Sequence, residues 1–129
     1  MGTFLKAIAV AILLACAFFA GALTAGIRHW FQPVIEISVA NNSGQLISGI
    51  EVSLETGGQK SLSTLGPLDD GKMQAYRFYV AGEGGYILTA TFENGRKVSS
   101  DMGYVESGYS IKETVMAASI KSEISFLGL

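Results

Sequence analysis

The sequence predicts an all-β domain, an antiparallel β-sandwich of seven to eight short strands, preceded by one N-terminal transmembrane helix. Three observations support this prediction. An uncharged run of 21 residues, Ala7 to Ile27, follows a short head whose only charged side chain is Lys6. Beyond Pro33, apolar and polar residues alternate with a period of two, which is typical of half-buried strands. Clusters of Gly, Asn and Asp interrupt this alternation at short intervals, as turns do in all-β domains.

The apolar run has the length of a membrane span. A helix rises 1.5 Å per residue, so the run extends over roughly 30 Å, the thickness of the hydrocarbon core. We therefore expect residues 7–27 to cross the lipid bilayer, with Trp30 and Phe31 at the interface, where aromatic side chains collect. Because the head is so short, we expect the N-terminus to stay in the cytoplasm. This predicts a single-pass inner-membrane protein with a periplasmic C-terminal domain.

Two other interpretations of the N-terminus stay open. Residues 20–22 read Ala-Gly-Ala, which matches a signal-peptidase site that would release a secreted protein beginning at Leu23. Residues 13–16 read Leu-Leu-Ala-Cys, a lipoprotein-like box, although apolar residues follow Cys16. We favour a retained anchor, because cleavage before Leu23 would leave an apolar leader on the mature protein. All three interpretations predict that the C-terminal domain is exported.

We predict two regions, an anchor or signal segment over residues 1–31 and an exported domain over residues 32–129. Pro33 marks the change, because proline cannot continue a helix and forces the preceding residue into extended geometry. About 100 residues suffice for one domain with its own hydrophobic core.

The exported domain contains nine short segments of strand-like sequence, some very short, which we interpret as seven or eight strands. They span residues 35–39, 50–55, 61–65, 73–80, 86–92, 97–100, 104–105, 109–115 and 119–126. Their even spacing favours a sandwich of immunoglobulin-like or transthyretin-like character, or a small barrel. Asn94-Gly95 predicts a two-residue type I′ hairpin turn, in which both residues need positive φ.

The composition excludes several function classes. Beyond residue 30, seven lysines and arginines stand against eleven carboxylates without a basic cluster. Nucleic-acid binding depends on clustered positive charge, so we exclude it. The only cysteine is Cys16 and the only histidine is His29, so the exported domain has neither. It therefore lacks the commonest zinc ligands, the histidine base and the cysteine nucleophile. We predict no catalytic, metal-binding or cofactor-binding residue, and no enzyme activity.

The remaining motifs have structural explanations. The Asp-Asp-Gly triplet at 69–71 suits a turn better than a calcium site, since calcium needs six to eight oxygen ligands. We expect Glu36, Glu51 and Glu55 on a solvated strand face, because each alternates with apolar residues. The glycine-rich segment 82–85 runs from strand to strand, which predicts a hairpin loop rather than a phosphate-binding loop.

Arg77, Tyr79, Tyr104 and Tyr109 form the candidate interaction surface, because tyrosine and arginine are enriched at protein-interface hot spots. We therefore predict a membrane-tethered, non-enzymatic module that binds another protein of the cell envelope. The alternative is a module that binds carbohydrate or another envelope polymer, with Tyr79, Tyr104 or Tyr109 as stacking surfaces. The oligomeric state does not follow from the sequence.

Overall fold

The computed structural model describes residues 2–27 and 33–127, which belong to two compact units. The first contains helix α1 (Gly2–Ile27), which is long and apolar enough to cross a membrane. This length and composition fit a membrane anchor and a signal sequence equally well. The predicted boundary between residues 31 and 32 lies outside the described residues, as do Trp30, Phe31 and His29.

The second unit is a β-sandwich of two four-stranded sheets, which confirms the predicted β-sandwich and falls within the predicted seven to eight strands. Sheet A has the order β4-β1-β7-β8 and sheet B the order β3-β2-β5-β6. The strands are β1 (Val34–Asn41), β2 (Ile47–Thr56), β3 (Gln59–Leu65), β4 (Met73–Tyr79), β5 (Gly84–Phe92), β6 (Lys97–Val105), β7 (Tyr109–Val115) and β8 (Ile120–Phe126).

One strand pair departs from the predicted antiparallel arrangement. In sheet A, β1 and β7 run parallel, with Glu36 beside Ser110 and Asn41 beside Val115. The other five pairs are antiparallel. A parallel pair needs a long connection, and here the chain passes through five other strands between β1 and β7. Alternating sequence patterns look alike in both pairings, so the sequence could not reveal this direction.

The core fills the space between the inner faces of the sheets. Alternate residues of the central strands are buried there, and each large apolar side chain contributes roughly 1.5–3 kcal/mol by leaving water. The largest fully buried apolar members are Tyr86, Phe92, Ile35, Ile37, Ile47, Ile50, Leu88, Ile111, Val39, Val52 and Val80. A one-residue slip of any central strand would turn its buried set outward, so this pattern fixes the register.

The edge strand β8 is covered only in part. Ile120, Ile124 and Phe126 share the inner face of sheet A, because they pair with the inward-facing positions of β7. Nevertheless, the side chains of Ile124 and Phe126 are 51% and 53% exposed. Sheet A therefore extends beyond the cover that sheet B provides on this side of the sandwich.

The two tight hairpins differ from the predicted turn chemistry. Gly57 and Gly58 join β2 to β3 with φ values of +56° and +74°, so the turn with two left-handed residues lies here. Between β5 and β6, the Gly95 amide donates to the Phe92 carbonyl at 2.9 Å. Glu93 and Asn94 are consequently the turn corners, and Gly95 follows with φ +82°. This is a three-residue hairpin with a glycine bulge, so the predicted type I′ turn at Asn94-Gly95 is wrong.

The glycine-rich segment 82–85 is also not a hairpin loop. It connects β4 in sheet A to β5 in sheet B. Gly84 and Gly85 already belong to β5 and pair with Thr56 and Glu55 of β2. A Cβ atom on Gly84 would overlap the backbone oxygen of Glu55, so the glycine permits the close approach of these two strands.

A buried polar cluster joins the two sheets. The Glu113 side chain of β7 is fully buried. Its Oε1 atom accepts hydrogen bonds from the Tyr86 hydroxyl at 2.5 Å and the Ser100 hydroxyl at 3.1 Å. Its Oε2 atom accepts a hydrogen bond from the Ser122 hydroxyl at 2.6 Å. Burial, with the Glu113 hydrogen bond and charge, raises the pKa of Tyr86 well above its usual range, so the phenol remains a donor.

We expect Glu113→Ala to lower the free energy of unfolding by about 3 kcal/mol, because it leaves the buried Tyr86 hydroxyl without its acceptor and opens a cavity. Tyr86→Phe removes one of three donors and should cost about 1–2 kcal/mol. Lys112→Ala, on the exposed face of the same strand, is the control and should change stability by less than about 0.5 kcal/mol. Denaturant unfolding of the full chain in detergent measures all three. Equal stability of the Glu113→Ala and Lys112→Ala variants would contradict a structural role for the carboxylate.

Candidate functional site

The four predicted interaction residues lie in two separate places. Arg77 and Tyr79 are on β4, at one edge of sheet A. Tyr104 is near the end of β6, and Tyr109 begins β7 beside the opposite edge strand, β8. The structure thus brings Tyr104 and Tyr109 together and separates them from Arg77 and Tyr79.

The β4 side forms a polar cleft of about 280 Å³ between the edges of the two sheets, beside the hydroxyls of Ser61 and Ser63 on β3. The Tyr79 side chain is 67% exposed. The Arg77 side chain is held against the neighbouring strand, β1, because its Nε atom donates to the Glu36 carboxylate at 2.9 Å. Its guanidinium is therefore partly committed to this ion pair.

The opposite side carries a group of apolar and aromatic side chains, which we call the aromatic edge: Tyr104, Tyr109, Ile124 and Phe126. The Tyr109 ring packs edge-to-face against Tyr104, with centroids 6.2 Å apart, and against Phe126, with centroids 5.2 Å apart. Edge-to-face packing fixes aromatic side chains in a defined geometry. Tyr104 is 46% exposed, close to the exposures of Ile124 and Phe126. The aromatic edge is therefore an ordered apolar surface open to solvent.

The Tyr104 hydroxyl lies in the negative field of two carboxylates, those of Glu106 and Glu83. It donates to the Glu106 carboxylate at 3.2 Å. Desolvation raises the pKa of Tyr104 to about 12, and the charges of Glu106 and Glu83 contribute to the same shift. At neutral pH the hydroxyl is consequently an uncharged donor at the rim of the aromatic edge.

The free backbone of β8 lies beside the aromatic edge. The Met116 amide donates to the Ser119 carbonyl at 2.8 Å, and the Leu127 amide to the Gly108 carbonyl at 2.7 Å. In an antiparallel pair, successive residues point their backbone N–H and C=O groups alternately toward the partner strand and away from it. The odd-numbered residues of β8 therefore direct these groups toward β7. The even-numbered residues Ile120, Ser122, Ile124 and Phe126 direct theirs outward. Within residues 33–127, no strand pairs with this outer edge.

A third surface is a groove of about 530 Å³ on the outer face of sheet B. Gly85 and Gly103 leave room for it, and its lining includes the carboxylates of Glu55, Glu83 and Asp101. The Lys60 ammonium lies 3.1 Å from the Glu55 carboxylate. Among the described residues, no group of three or more His, Cys, Asp or Glu side chains is placed to hold a metal ion.

Sequence reasoning missed Glu113, Ile124 and Phe126 as notable residues. A signal for Glu113 was present, since it occupies the apolar phase of β7 between Ile111 and Val115. No signal was available for the exposure of Ile124 and Phe126. Their pattern predicts an inward face, but it does not tell how far the opposite sheet reaches.

Comparison with known proteins supports the fold alone. Neither a protein-family model nor a curated protein matches the sequence. A similar solved structure is the NMR structure of a protein from Eubacterium rectale, with a TM-score of 0.54 and 15% identity. The similarity covers 74% of this chain and 92% of that one.

We expect Glu106→Gln to lower the pKa of Tyr104, because it removes a negative charge that opposes formation of the phenolate. Glu51→Gln, on β2, is the matched control and should leave this pKa unchanged. Alkaline titration of the full chain with ¹³C-labelled tyrosine, followed by NMR, measures both. An unchanged Tyr104 pKa in Glu106→Gln would contradict the electrostatic coupling described above.

Proposed function

We propose that this chain is a membrane-tethered β-sandwich that binds another protein through the aromatic edge and has no catalytic role. The observation that supports the proposal is the coincidence of exposed apolar side chains with a free strand edge. Contiguous exposed apolar surface on a soluble domain is typical of interaction sites. Unpaired strand edges are normally blocked, so an open one beside such a surface favours a docking role.

The chemistry of the aromatic edge suits a protein partner. An added strand would receive main-chain hydrogen bonds from the even-numbered residues of β8. Tyr104 and Phe126 would provide rigid contact area at low cost in side-chain entropy, and the Tyr104 hydroxyl adds a polar contact. Affinity would come from the strand pairing and specificity from the flanking side chains.

A retained α1 would hold this activity at a membrane. We propose that α1 stays attached as an anchor, with the sandwich on the periplasmic side of the inner membrane. We also propose that the sandwich is transthyretin-like rather than immunoglobulin-like. Immunoglobulin domains have seven or nine strands, whereas this domain has four in each of its two sheets.

A second candidate function is binding of an envelope carbohydrate at the β4 cleft. The exposed Tyr79 ring lies there beside Gln59, Ser61 and Ser63, whose amide and hydroxyl groups suit sugar hydroxyls. We rank it second because, among the described residues that line the cleft, Tyr79 is the only exposed aromatic ring. Retention on envelope polymer that is lost in Tyr79→Ala and kept in Tyr104→Ala would reverse this ranking.

We expect a photoreactive amino acid at Ile124 to crosslink to protein in intact cells, and the same group at Tyr79 to give little product. The expectation follows from the free edge and apolar surface at Ile124. The double variant Tyr104→Ala/Phe126→Ala should reduce the Ile124 product about tenfold or more, since aromatic anchors contribute over 1 kcal/mol each at hot spots. Immunoblotting against this chain, with any product mass counted, provides the measurement. Equal crosslinking at both edges, or none at Ile124, would exclude the aromatic edge as the binding surface.

A further inference from the structure

Strand β8 is chemically symmetric about its centre. Residues 120–124 read Ile-Lys-Ser-Glu-Ile. Ser122 is flanked on either side by opposite charges, and the next residue beyond each charge is an isoleucine. Lys121 and Glu123 point to the outer face of sheet A, where the Lys121 ammonium lies 2.8 Å from the Glu123 carboxylate of the same chain, so a second copy would extend this ion pair rather than create one. Ile120, Ser122 and Ile124 share the inner face. A strand with this pattern is complementary to a second copy of itself in antiparallel orientation.

We propose that the partner at the aromatic edge is a second copy of this chain, paired antiparallel through β8 with Ser122 on the two-fold axis. This inference rests on the proposed function, since it names the protein bound at that edge. Each Lys121 then lies opposite Glu123 of the second copy, and each Ile120 opposite Ile124 of the second copy. Such an interface is self-complementary, as two-fold symmetry requires.

The backbone of β8 permits this register. The free N–H and C=O groups belong to the even-numbered residues, and the register pairs even with even throughout. Ser122 bonds to Ser122 of the second copy, and Ile120 to Ile124. A shift by one residue would present backbone groups that β7 already uses and would turn the inner-face residues outward.

Charge selects this register among the remaining ones. Sliding the second copy by two residues keeps even residues paired with even and moves the two-fold axis to Lys121 or to Glu123. The axis at Lys121 places the two copies of Lys121 opposite each other, and the axis at Glu123 does the same for Glu123. Like charges directly opposite across a strand pair are destabilising, whereas opposite charges stabilise it. Only the axis at Ser122 gives two attractive pairs.

Strand β6 repeats the pattern at the same level. Lys97, Ser99 and Asp101 lie on its outer face, symmetric about Ser99. The hydroxyls of Ser100 and Ser122 both bind Glu113, so Ser100, the residue after the centre of β6, is level with the centre of β8. A two-fold axis at Ser122 would therefore pass close to the centre of β6 as well. Because β8 extends beyond the cover of sheet B, it makes the direct strand pair.

The opposite side of the sandwich lacks this symmetry. The outer face of β3 carries Lys60 without a carboxylate, and that of β4 carries Arg77 without one. A second copy paired at either strand would gain no opposite charge from it. This difference assigns the second copy to the β8 side.

The interface is small, and this sets its expected strength. A single strand pair buries less than the roughly 1,200–2,000 Å² of a standard stable interface. It does cover apolar surface, because Ile124 is half exposed in the single chain. We therefore expect a weak dimer in dilute detergent that forms readily when both copies share one membrane.

The experiment uses single cysteines in the full chain with Cys16→Ala, which removes the native thiol. Variants Lys121→Cys and Glu123→Cys carry different tags and are mixed in detergent under mild oxidation. The proposed register brings residue 121 within about 4.5 Å of residue 123 of the second copy, Cα to Cα, which a disulfide can span. The two copies of residue 121 are diagonal neighbours, as are the two copies of residue 123. Their Cα atoms are roughly 7–8 Å apart, too far for a good disulfide.

We expect the mixed disulfide to exceed either like disulfide about tenfold. A dominant disulfide between two copies of the same variant, Lys121→Cys or Glu123→Cys, would overturn the register. Absence of any disulfide would overturn the dimer. If the chain stays monomeric while Ile124 crosslinks to a different protein in cells, the second copy is excluded and the proposed function stands. If both fail, the aromatic edge is not a binding surface.

A charge reversal provides an independent readout of self-association by sedimentation. Lys121→Glu creates two like-charge pairs and should weaken the dimer about tenfold, and Lys121→Glu/Glu123→Lys should restore it. Lys60→Glu makes the same charge change on the opposite edge and should have no effect. An equal effect of Lys60→Glu and Lys121→Glu, or failure of the double variant to restore association, would contradict the pairing.

Discussion

The Glu113 carboxylate is the interaction on which the geometry of the sandwich depends. It is buried between the sheets and accepts hydrogen bonds from Tyr86, Ser100 and Ser122, which lie on three different strands. A buried carboxylate is costly unless such donors satisfy it, so β5, β6, β7 and β8 must meet at one level. Apolar packing would hold the sheets together, but it is less directional than three hydrogen bonds to one group. The cluster therefore defines how sheet A is placed on sheet B.

The same placement creates the aromatic edge, which we propose as the binding surface. With β7 fixed over β5, the next strand, β8, extends beyond the cover of sheet B, and Ile124 and Phe126 stay exposed. Tyr109 packs against both Tyr104 and Phe126, so the exposed group is ordered. The bonds from Ser122 and Ser100 to Glu113 also bring the centre of β8 level with Ser100, next to the centre of β6. One buried group thus links the stability of the core to the symmetry of the edge.

The sequence predicted the local structure well and the assembly poorly. Period-two alternation identified the strands and most of the core, because one inward face produces that pattern. It missed the parallel pairing of β1 with β7, since alternation is the same in both directions. It assigned the type I′ turn to Asn94-Gly95, whereas the chain forms a glycine bulge there and uses Gly57-Gly58 for the tighter turn. It grouped Arg77 and Tyr79 with Tyr104 and Tyr109, although strand order separates them. Burial at an edge depends on the other sheet, which no local pattern reports.

Amide hydrogen exchange of the full chain in detergent tests the central claim most directly, because it observes the free edge of β8 residue by residue. In dilute samples we expect slow exchange at Lys121 and Glu123, whose amides bond to β7, and fast exchange at Ser122 and Ile124. At high concentration the amides of Ser122 and Ile124 should become protected, while those of Lys121 and Glu123 stay as they were. Uniform exchange along β8, or an alternation that does not change with concentration, would contradict the account.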